Sequence, residues 1–148
     1  MNASKHLLAT TVSIALATAS GLALADPPAV LADLAAQGKT TLGKGELQQL
    51  LPGASMRRMN VQGSAQAWTN EPDGSFVVSS DNRGQQGNNS TARGTWKISD
   101  DGRYCVTIEW KRNPTEDWCR VIVKSGDGYY AARSDKDTER VYPLEIKK

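Results

Sequence analysis

The sequence has almost no histidine. Of its 148 residues only His6 is one, and it lies in an apolar N-terminal segment. Histidine is the usual general base at neutral pH and the commonest metal ligand in proteins. The chain also lacks a G-x-S-x-G elbow, which presents a nucleophilic serine, and a redox-type C-x-x-C pair. We therefore predict no catalytic residue, no metal site and no cofactor, and we expect a protein that is not an enzyme.

An excess of charge of one sign is missing as well. The chain has 18 Lys and Arg residues against 16 Asp and Glu residues, and the two signs are interspersed. Recognition of nucleic acid requires a basic patch or stripe. The charge balance predicts a mixed, solvated surface and no nucleic-acid partner.

Long apolar runs are limited to one, Leu7 to Ala19. It follows Lys5 and precedes Ala23-Leu24-Ala25, which has the small-residue pattern of a cleavage site. The run is too short to cross a bilayer whose apolar core is about 30 Å thick. We predict that residues 1–25 form a signal peptide cleaved near Ala25/Asp26. The mature protein is then periplasmic or secreted and has no membrane span.

Cysteine is scarce too, since the chain contains only Cys105 and Cys119. An exported protein folds in an oxidising compartment, where a disulfide is the expected state of such a pair. A bridge that closes a loop of about 15 residues stabilises a fold by roughly 3 kcal/mol in the chain-entropy description. We predict a Cys105–Cys119 disulfide.

The first part of the mature chain predicts two short helices. Val30, Leu31 and Leu34 recur at helical spacing, and Gly38 follows them as a stop signal. A second helix is predicted over Glu46 to Leu51, which a Pro-Gly pair follows. Helices this short are not stable alone, so both are expected to dock on the rest of the chain.

After Gly53 the apolar pattern changes to a period of two, which is typical of strands. A polar segment rich in Gly, Asn and Gln, Asp81 to Thr91, interrupts this pattern and predicts a mobile surface loop. The expected organisation is one domain in which a helical segment, residues 26–53, joins a β-meander, residues 54–148. The predicted strands are Met59–Trp68, Ser75–Ser80, Arg93–Ser99, Arg103–Trp110, Trp118–Lys124, Tyr129–Ser134 and Arg140–Ile146.

Three Asp-Gly pairs separate these strands, and such a pair is a strong hairpin signal because Gly accepts the positive φ of a tight turn. Two of them belong to a repeated pattern, W-x4-D-G-x-aromatic, at a period of 28. The third, Asp127-Gly128, precedes Tyr130 in the same way. The two copies of the full pattern are Trp68, Asp73-Gly74, Phe76 and Trp96, Asp101-Gly102, Tyr104.

The disulfide also suggests a strand register. If Cys105 faces Cys119 across a hairpin centred on Arg112, then Val106 lies opposite Trp118 and Trp110 opposite Pro114. A meander of about seven antiparallel strands must close or be covered to hide its edges. We therefore predict a mainly β fold, either a small barrel or a strongly curved sheet, with one or two short N-terminal helices plugging one side.

The aromatic side chains favour a cavity for a small ligand or an envelope component. This hypothesis requires a cavity lined by at least two tryptophans. The competing interpretation is that the same residues, on alternating strand positions, pack the core. The candidate ligand-binding residues are Trp68, Trp96, Trp110, Trp118 and Tyr130.

An alternative function is a protein-interaction or inhibitor module. The segment between the cysteines is highly charged and is stiffened by Pro114 and by the predicted disulfide, so it can form a pre-organised tip. A plain hairpin loop is the simpler interpretation. The candidate partner-binding residues are Lys111, Arg112, Glu116 and Asp117.

Acidic residues offer a third, weaker hypothesis. Asp100, Asp101 and Glu109 supply the two carboxyl groups that a glycosidase needs, but the two aspartates belong to a predicted hairpin turn, which favours Asp for backbone reasons. Asp135 to Glu139 alternates oxygen ligands as a calcium loop begins. It lacks the central Gly of that loop, so a solvated charged turn is expected.

The chain resembles a family of short exported proteobacterial proteins of unknown function. The resemblance rests on G-T-W-K-I from Gly94, on Trp110 and on W-C-R from Trp118, and on E-L-Q-Q-L-L-P-G from Glu46. It covers most of residues 42–134. It implies a lipocalin-like or calycin-like β-barrel, in which a full calyx has one strand more than the seven predicted here, and it implies no catalytic residue.

Overall fold

The structure, a computed structural model, describes residues 27–148. The predicted signal peptide lies outside the described residues. The described chain begins with a 3-10 helix over Leu31–Gln37, followed by strand β1 and helix α1, and continues as nine further strands. The elements after the 3-10 helix are β1 Lys39–Thr41, α1 Lys44–Leu50, β2 Ser55–Met59, β3 Ala65–Thr69, β4 Ser75–Ser80, β5 Ser90–Ile98, β6 Tyr104–Glu109, β7 Glu116–Ser125, β8 Gly128–Ala132, β9 Val141–Pro143 and β10 Glu145–Lys147.

The strands form one antiparallel sheet that is nearly closed into a barrel. Their order is β10-β2-β3-β4-β5-β6-β7-β8-β9, and β1 adds to β7 beyond the point where β7 leaves β6. The C-terminal segment brings the two edges together, because β9 pairs with β8 while β10 pairs with β2. Between them Leu144 is buried, and its N–H donates to the carbonyl of Tyr129 at 2.9 Å. The mainly β, barrel-like prediction is confirmed.

Two of the segments predicted as single strands are each divided into two strands. The segment predicted as one strand, Met59–Trp68, is a hairpin in which Asn60 to Ser64 turn the chain from β2 to β3. The side-chain oxygen of Asn60 accepts the N–H groups of Gln62 and Ser64, at 3.0 and 2.9 Å. Such an Asx-type turn needs no adjacent Asn-Gly or Asp-Gly pair.

The last predicted strand, Arg140–Ile146, is likewise divided at Leu144 into β9 and β10. One continuous strand cannot pair with both edges of the sheet, so the division follows from barrel closure. With β1, which was not predicted, the sheet has ten strands where about seven were expected.

The predicted register around the cysteines is confirmed. Cys105 and Cys119 are paired across β6 and β7 and form a disulfide, and Val106 lies opposite Trp118. The pairing ends at Ile108 and Glu116, so Trp110 lies in the connecting turn and is not part of the ladder.

The repeated W-x4-D-G-x-aromatic pattern has a structural reason. In both copies the Asp-Gly pair forms a hairpin turn with Gly at positive φ, +87° at Gly74 and +77° at Gly102. The aromatic residue then packs beside the tryptophan of the preceding strand. The ring centroids are 5.6 Å apart for Trp68 and Phe76 and 6.2 Å apart for Trp96 and Tyr104.

The third Asp-Gly pair departs from this plan. Positive φ is at Gly126, one residue before Asp127, while Gly128 already begins β8. Tyr130 consequently points to the outer face of the sheet, where it packs against a second apolar cluster.

The two N-terminal helices pack against different faces of the sheet, so the expectation that both plug the barrel is wrong. Leu47 of α1 and Leu51 just after it are fully buried in the main core, so α1 closes one end. The 3-10 helix instead covers the outer face of β7, where Leu31 and Leu34 join Val121 and others in the second cluster. Within residues 27–148, no helix has the length and apolar character needed to cross a membrane.

The polar segment predicted as a loop over Asp81 to Thr91 contains a short 3-10 helix, Arg83–Gln85, before β5 begins at Ser90. It rests on the β2–β3 turn, since the N–H of Gly84 donates to the hydroxyl of Ser64 at 3.1 Å. This places the segment at the end of the barrel away from α1.

Candidate functional site

The end of the barrel opposite α1 is open and forms a cavity of about 410 Å³, which we call the mouth. Its rim comes from the β2–β3, β4–β5 and β6–β7 connections, and its walls come from inward-facing strand residues. Its volume lies within the range of small-molecule sites, about 300–1,000 Å³. The charged, amide and aromatic side chains that line the mouth include Arg58, Gln66, Trp110, Glu116, Trp118, Arg120 and Arg133.

Strand alternation explains why β7 contributes three of these residues. Successive side chains of a strand point to opposite faces, so Glu116, Trp118 and Arg120 share the inner face. Asp117 and Cys119 are exposed on the other face. The disulfide joins that outer face to β6, and so braces the wall from outside without occupying the mouth.

The floor of the mouth is aromatic. The ring of Trp118 packs edge-on against Tyr104 at 5.7 Å between centroids. Tyr104 is fully buried, and its hydroxyl donates to the side-chain oxygen of Asn70 at 2.8 Å. Burial raises the pKa of the Tyr104 hydroxyl well above its usual value, so this group is neutral at any physiological pH. The floor is therefore uncharged.

One wall carries a hydrogen-bonded network centred on Glu116. Its carboxylate accepts the indole N–H of Trp110 at 2.9 Å and the amide N–H of Gln66 at 3.2 Å, and it forms an ion pair with Arg58. The side chains of Arg58 and Glu116 are only 19% and 32% exposed. The network therefore fixes the position of Arg58, and Glu116 compensates its charge.

Two guanidinium groups flank the ring of Trp118. The guanidinium carbon of Arg58 lies 4.8 Å from the ring centroid, and that of Arg120 lies 5.7 Å away. Both are within the distance of cation–π attraction, about 6 Å. Burial lowers the pKa of Arg120 most, and the nearby charge of Arg133 lowers it further. Three cations thus converge on one small cavity.

Only one of these cations forms an ion pair with a carboxylate within the described residues, although the charge of Glu139 acts on Arg120 without an ion pair. Arg58 is paired with Glu116, but no ion pair to Arg120 or Arg133 occurs within residues 27–148. The one side-chain hydrogen bond that Arg120 makes goes to the carbonyl of Cys119, at 2.9 Å. Of the charged residues that line the mouth, three are cationic and one is anionic.

A neutral donor in the mouth also lacks an acceptor. The indole N–H of Trp118 is buried and has no hydrogen-bond partner in the part of the chain that the structure describes. The corresponding groups of Trp68, Trp96 and Trp110 all have acceptors. Buried polar groups are normally paired, so this isolated donor next to the mouth is an exception.

A larger groove, of about 1,090 Å³, lies on the outer face of β2 to β6. Its charged lining consists of three cations and three carboxylates, and some of these pair with each other, as Arg57 does with Glu145 at 3.4 Å. Such a balanced, open surface is what the outward face of a solvated sheet produces. The mouth is the better candidate because its donors and charges are left uncompensated inside the barrel.

The structure divides the tryptophans predicted to bind a ligand. Trp110 and Trp118 line the mouth, which gives that cavity the two tryptophans that the hypothesis requires. Trp68 and Trp96 are buried in the main core, and Tyr130 packs under the 3-10 helix. The competing interpretation, in which aromatic side chains pack apolar clusters, therefore applies to Trp68, Trp96 and Tyr130.

The residues predicted to form a protruding tip are also divided. Lys111 and Arg112 are exposed in the β6–β7 turn, as expected of a tip. Glu116 and Asp117 already belong to β7, where Glu116 faces the mouth and Asp117 accepts a hydrogen bond from the Thr107 hydroxyl at 3.1 Å. The turn is thereby also a wall of the mouth, to which Asn113 to Thr115 contribute.

A family described as "Protein of unknown function (DUF995)" matches residues 19–118, roughly two-thirds of the chain. The chain belongs to this family. Comparisons with curated proteins and with solved structures produced no match.

The DUF995 match agrees with the expectation of a family of unknown function. The description of the family assigns no role to any residue of the mouth. The matched range includes the Arg58–Glu116 pair and ends at Trp118. Proteobacterial origin and the individual motifs of the resemblance stay predictions.

The cationic side of this DUF995 site was missed at the sequence level. The charge balance predicts only a mixed, solvated surface and singles out neither Arg58 nor Arg120, although each shares strand parity with an inward-facing neighbour, Met56 for Arg58 and Trp118 for Arg120. An arginine at a position where alternation demands an apolar residue is the signal that finds them.

Proposed function

We propose that this DUF995 protein is an exported, non-enzymatic β-barrel that binds a small ligand or an envelope component in its mouth. The observation that carries the proposal is the 410 Å³ cavity at the open end of the barrel, lined by Trp110 and Trp118. A concave, largely apolar cavity with a few convergent polar groups is the usual form of a small-molecule site.

Export is supported by two features of the chain. Residues 1–25 have the pattern of a signal peptide, and Cys105 and Cys119 form a disulfide of the kind that persists in oxidising compartments. The proposal places the mature protein in the periplasm or the medium. N-terminal sequencing of the protein recovered from cell fractions tests it, with Asp26 expected as the first residue.

The positions of the carboxylates support a non-enzymatic role. Asp100 and Asp101 lie in the β5–β6 turn at the plugged end, where hydrogen bonds from Lys44 and from Ser99, respectively, hold the pKa values of these carboxyls below the usual range. A glycosidase acid needs a raised pKa. The carboxylate that lines the mouth, Glu116, is committed to Arg58 and Trp110.

A neutral fluorescent probe, phenylnaphthylamine, tests the site directly. Its emission rises in an apolar cavity, and we expect saturable binding of one molecule per chain. Trp118→Leu removes an aromatic ring from the floor of the mouth. It should weaken binding of the probe about tenfold, since aromatic contacts contribute about 0.5–1.5 kcal/mol beyond area burial.

The matched control is Val77→Ala, which trims an exposed side chain in the outer groove. It should leave the affinity of the probe unchanged. If Val77→Ala weakens binding while Trp118→Leu does not, the probe binds outside the barrel and the mouth is not the site.

A further inference from the structure

We propose that the ligand of the mouth is an anionic amphiphile, a molecule with one carboxylate, sulfonate or phosphate group on an apolar body. This inference rests on the proposed function, and it adds the chemical class of the ligand. Its basis is the juxtaposition of Arg120 and Arg133 with the ring of Trp118 in one cavity.

The charge of the cavity favours an anion. Arg120, 5.7 Å from the Trp118 ring, and Arg133 line the mouth, and neither forms an ion pair within the described residues. Arg120 is partly desolvated, and the charge of Glu139 acts on it without forming an ion pair, so a counter-charge that binds Arg120 directly would offset the cost of burying it beside Arg133. Guanidinium groups bind carboxylate and phosphate oxygens with paired, charge-assisted hydrogen bonds.

Glu116 does not serve as the counter-charge of Arg120. Its carboxylate is already taken by Trp110, Gln66 and Arg58. An oxygen of a bound anion would neutralise Arg120 directly. A neutral or cationic ligand would leave Arg120 and Arg133 without a direct partner.

The apolar part of the lining accounts for the apolar body of the ligand. Trp110, Pro114, Tyr142 and Leu144 face the same cavity, and Met59 and Val61 are exposed at its rim. A free inorganic anion would leave this surface uncovered. The two halves of the site therefore fit a ligand that is charged at one end and apolar at the other.

Two probes that differ in one group separate charge from body. Anilinonaphthalene sulfonate carries a sulfonate on the same ring system as neutral phenylnaphthylamine. We expect the folded full chain to bind the sulfonate at least about tenfold more tightly, the worth of one charge-assisted hydrogen bond to a charged group. Inorganic phosphate, which has charge without the body, should not displace it at equal concentration.

Arg120→Met and Arg133→Met should each lower the ratio of the sulfonate's affinity to the neutral probe's affinity about tenfold, with both affinities measured on the same variant. Arg57→Met on the outer face changes the net charge equally and should preserve the preference. Thermal unfolding shows that each variant is folded. Arg133 is exposed, so its substitution keeps the test usable if Arg120→Met fails to fold.

The outcomes are distinct. If both probes bind the wild type equally and the arginine variants change neither, ligand binding stands and the anionic class is wrong. If the preference falls equally in Arg57→Met, it reflects long-range charge and the inference also fails. If neither probe binds, the proposed function fails together with it.

Discussion

Gly94 is a core position at which a single methyl group should be costly for its size. It lies opposite Phe76 in the β4–β5 pairing, and a Cβ built on Gly94 would be 2.1 Å from Cζ and 2.2 Å from Cε2 of the Phe76 ring. The ring cannot yield easily, because it is buried and stacks on Trp68. Gly94 is absent from the glycines at positive φ, so the glycine is needed for space and not for backbone conformation.

We expect Gly94→Ala to lower the free energy of unfolding by about 1–3 kcal/mol, the usual cost of overpacking a core. Phe76→Leu removes the three ring atoms that clash, Cε1, Cε2 and Cζ. In that background Gly94→Ala should be neutral or slightly stabilising, because Ala is favoured over Gly in a strand by roughly 0.5–1 kcal/mol. The sign of the effect therefore changes with the partner residue.

Urea unfolding of the wild type, the two single variants and the double variant, followed by circular dichroism, measures the coupling between Gly94 and Phe76 as a double-mutant cycle. Gly45→Ala is the control, since a Cβ at that exposed helix position meets nothing within 4 Å and should stabilise by up to about 1 kcal/mol. Equal cost of Gly94→Ala with Phe76 and with Leu at that position would refute the reasoning.

Three further changes test other parts of the fold. Replacing Cys105 and Cys119 by serine together should cost about 3 kcal/mol, for a bridge across 14 positions, and non-reducing peptide mapping should show the two joined; free thiols in the exported protein would contradict this. Leu47→Ala in α1 should lower the unfolding free energy by about 2–5 kcal/mol, and the exposed Gln48→Ala should not. Glu116→Gln should lower the free energy of unfolding by about 1–2 kcal/mol, since it leaves the partly buried Arg58 unpaired. Glu145→Gln, whose ion pair with Arg57 is exposed, should lower it by less than about 0.5 kcal/mol. Equal costs for these two variants would contradict the network described in the mouth.

Much of the sheet follows from local chemistry in the sequence. The cysteine pair fixed the β6–β7 register, and Asp-Gly pairs marked the hairpins at Gly74 and Gly102, because these signals need only neighbouring residues. The β2–β3 hairpin escaped prediction because its turn depends on backbone N–H groups that donate to the side-chain oxygen of Asn60, which no dipeptide signals.

The site was harder to predict than the sheet, and the reason is geometric. Alternation tells which face of a strand a residue occupies, but it does not tell how far along the barrel axis the residue lies. Trp68 and Trp118 have the same inward parity, yet one is sealed under the plug helix and the other lines the mouth. Depth depends on where α1 docks, which only the tertiary structure shows.

The central claim, that the mouth holds a small ligand, is tested most directly by native mass spectrometry of the protein purified from its own cells. We predict a population heavier than the disulfide-bonded chain by one small molecule, which is present in Val77→Ala and reduced in Trp118→Leu and Arg120→Met. A wild-type spectrum with the polypeptide mass alone, or an added mass that persists equally in all three variants, would contradict the account.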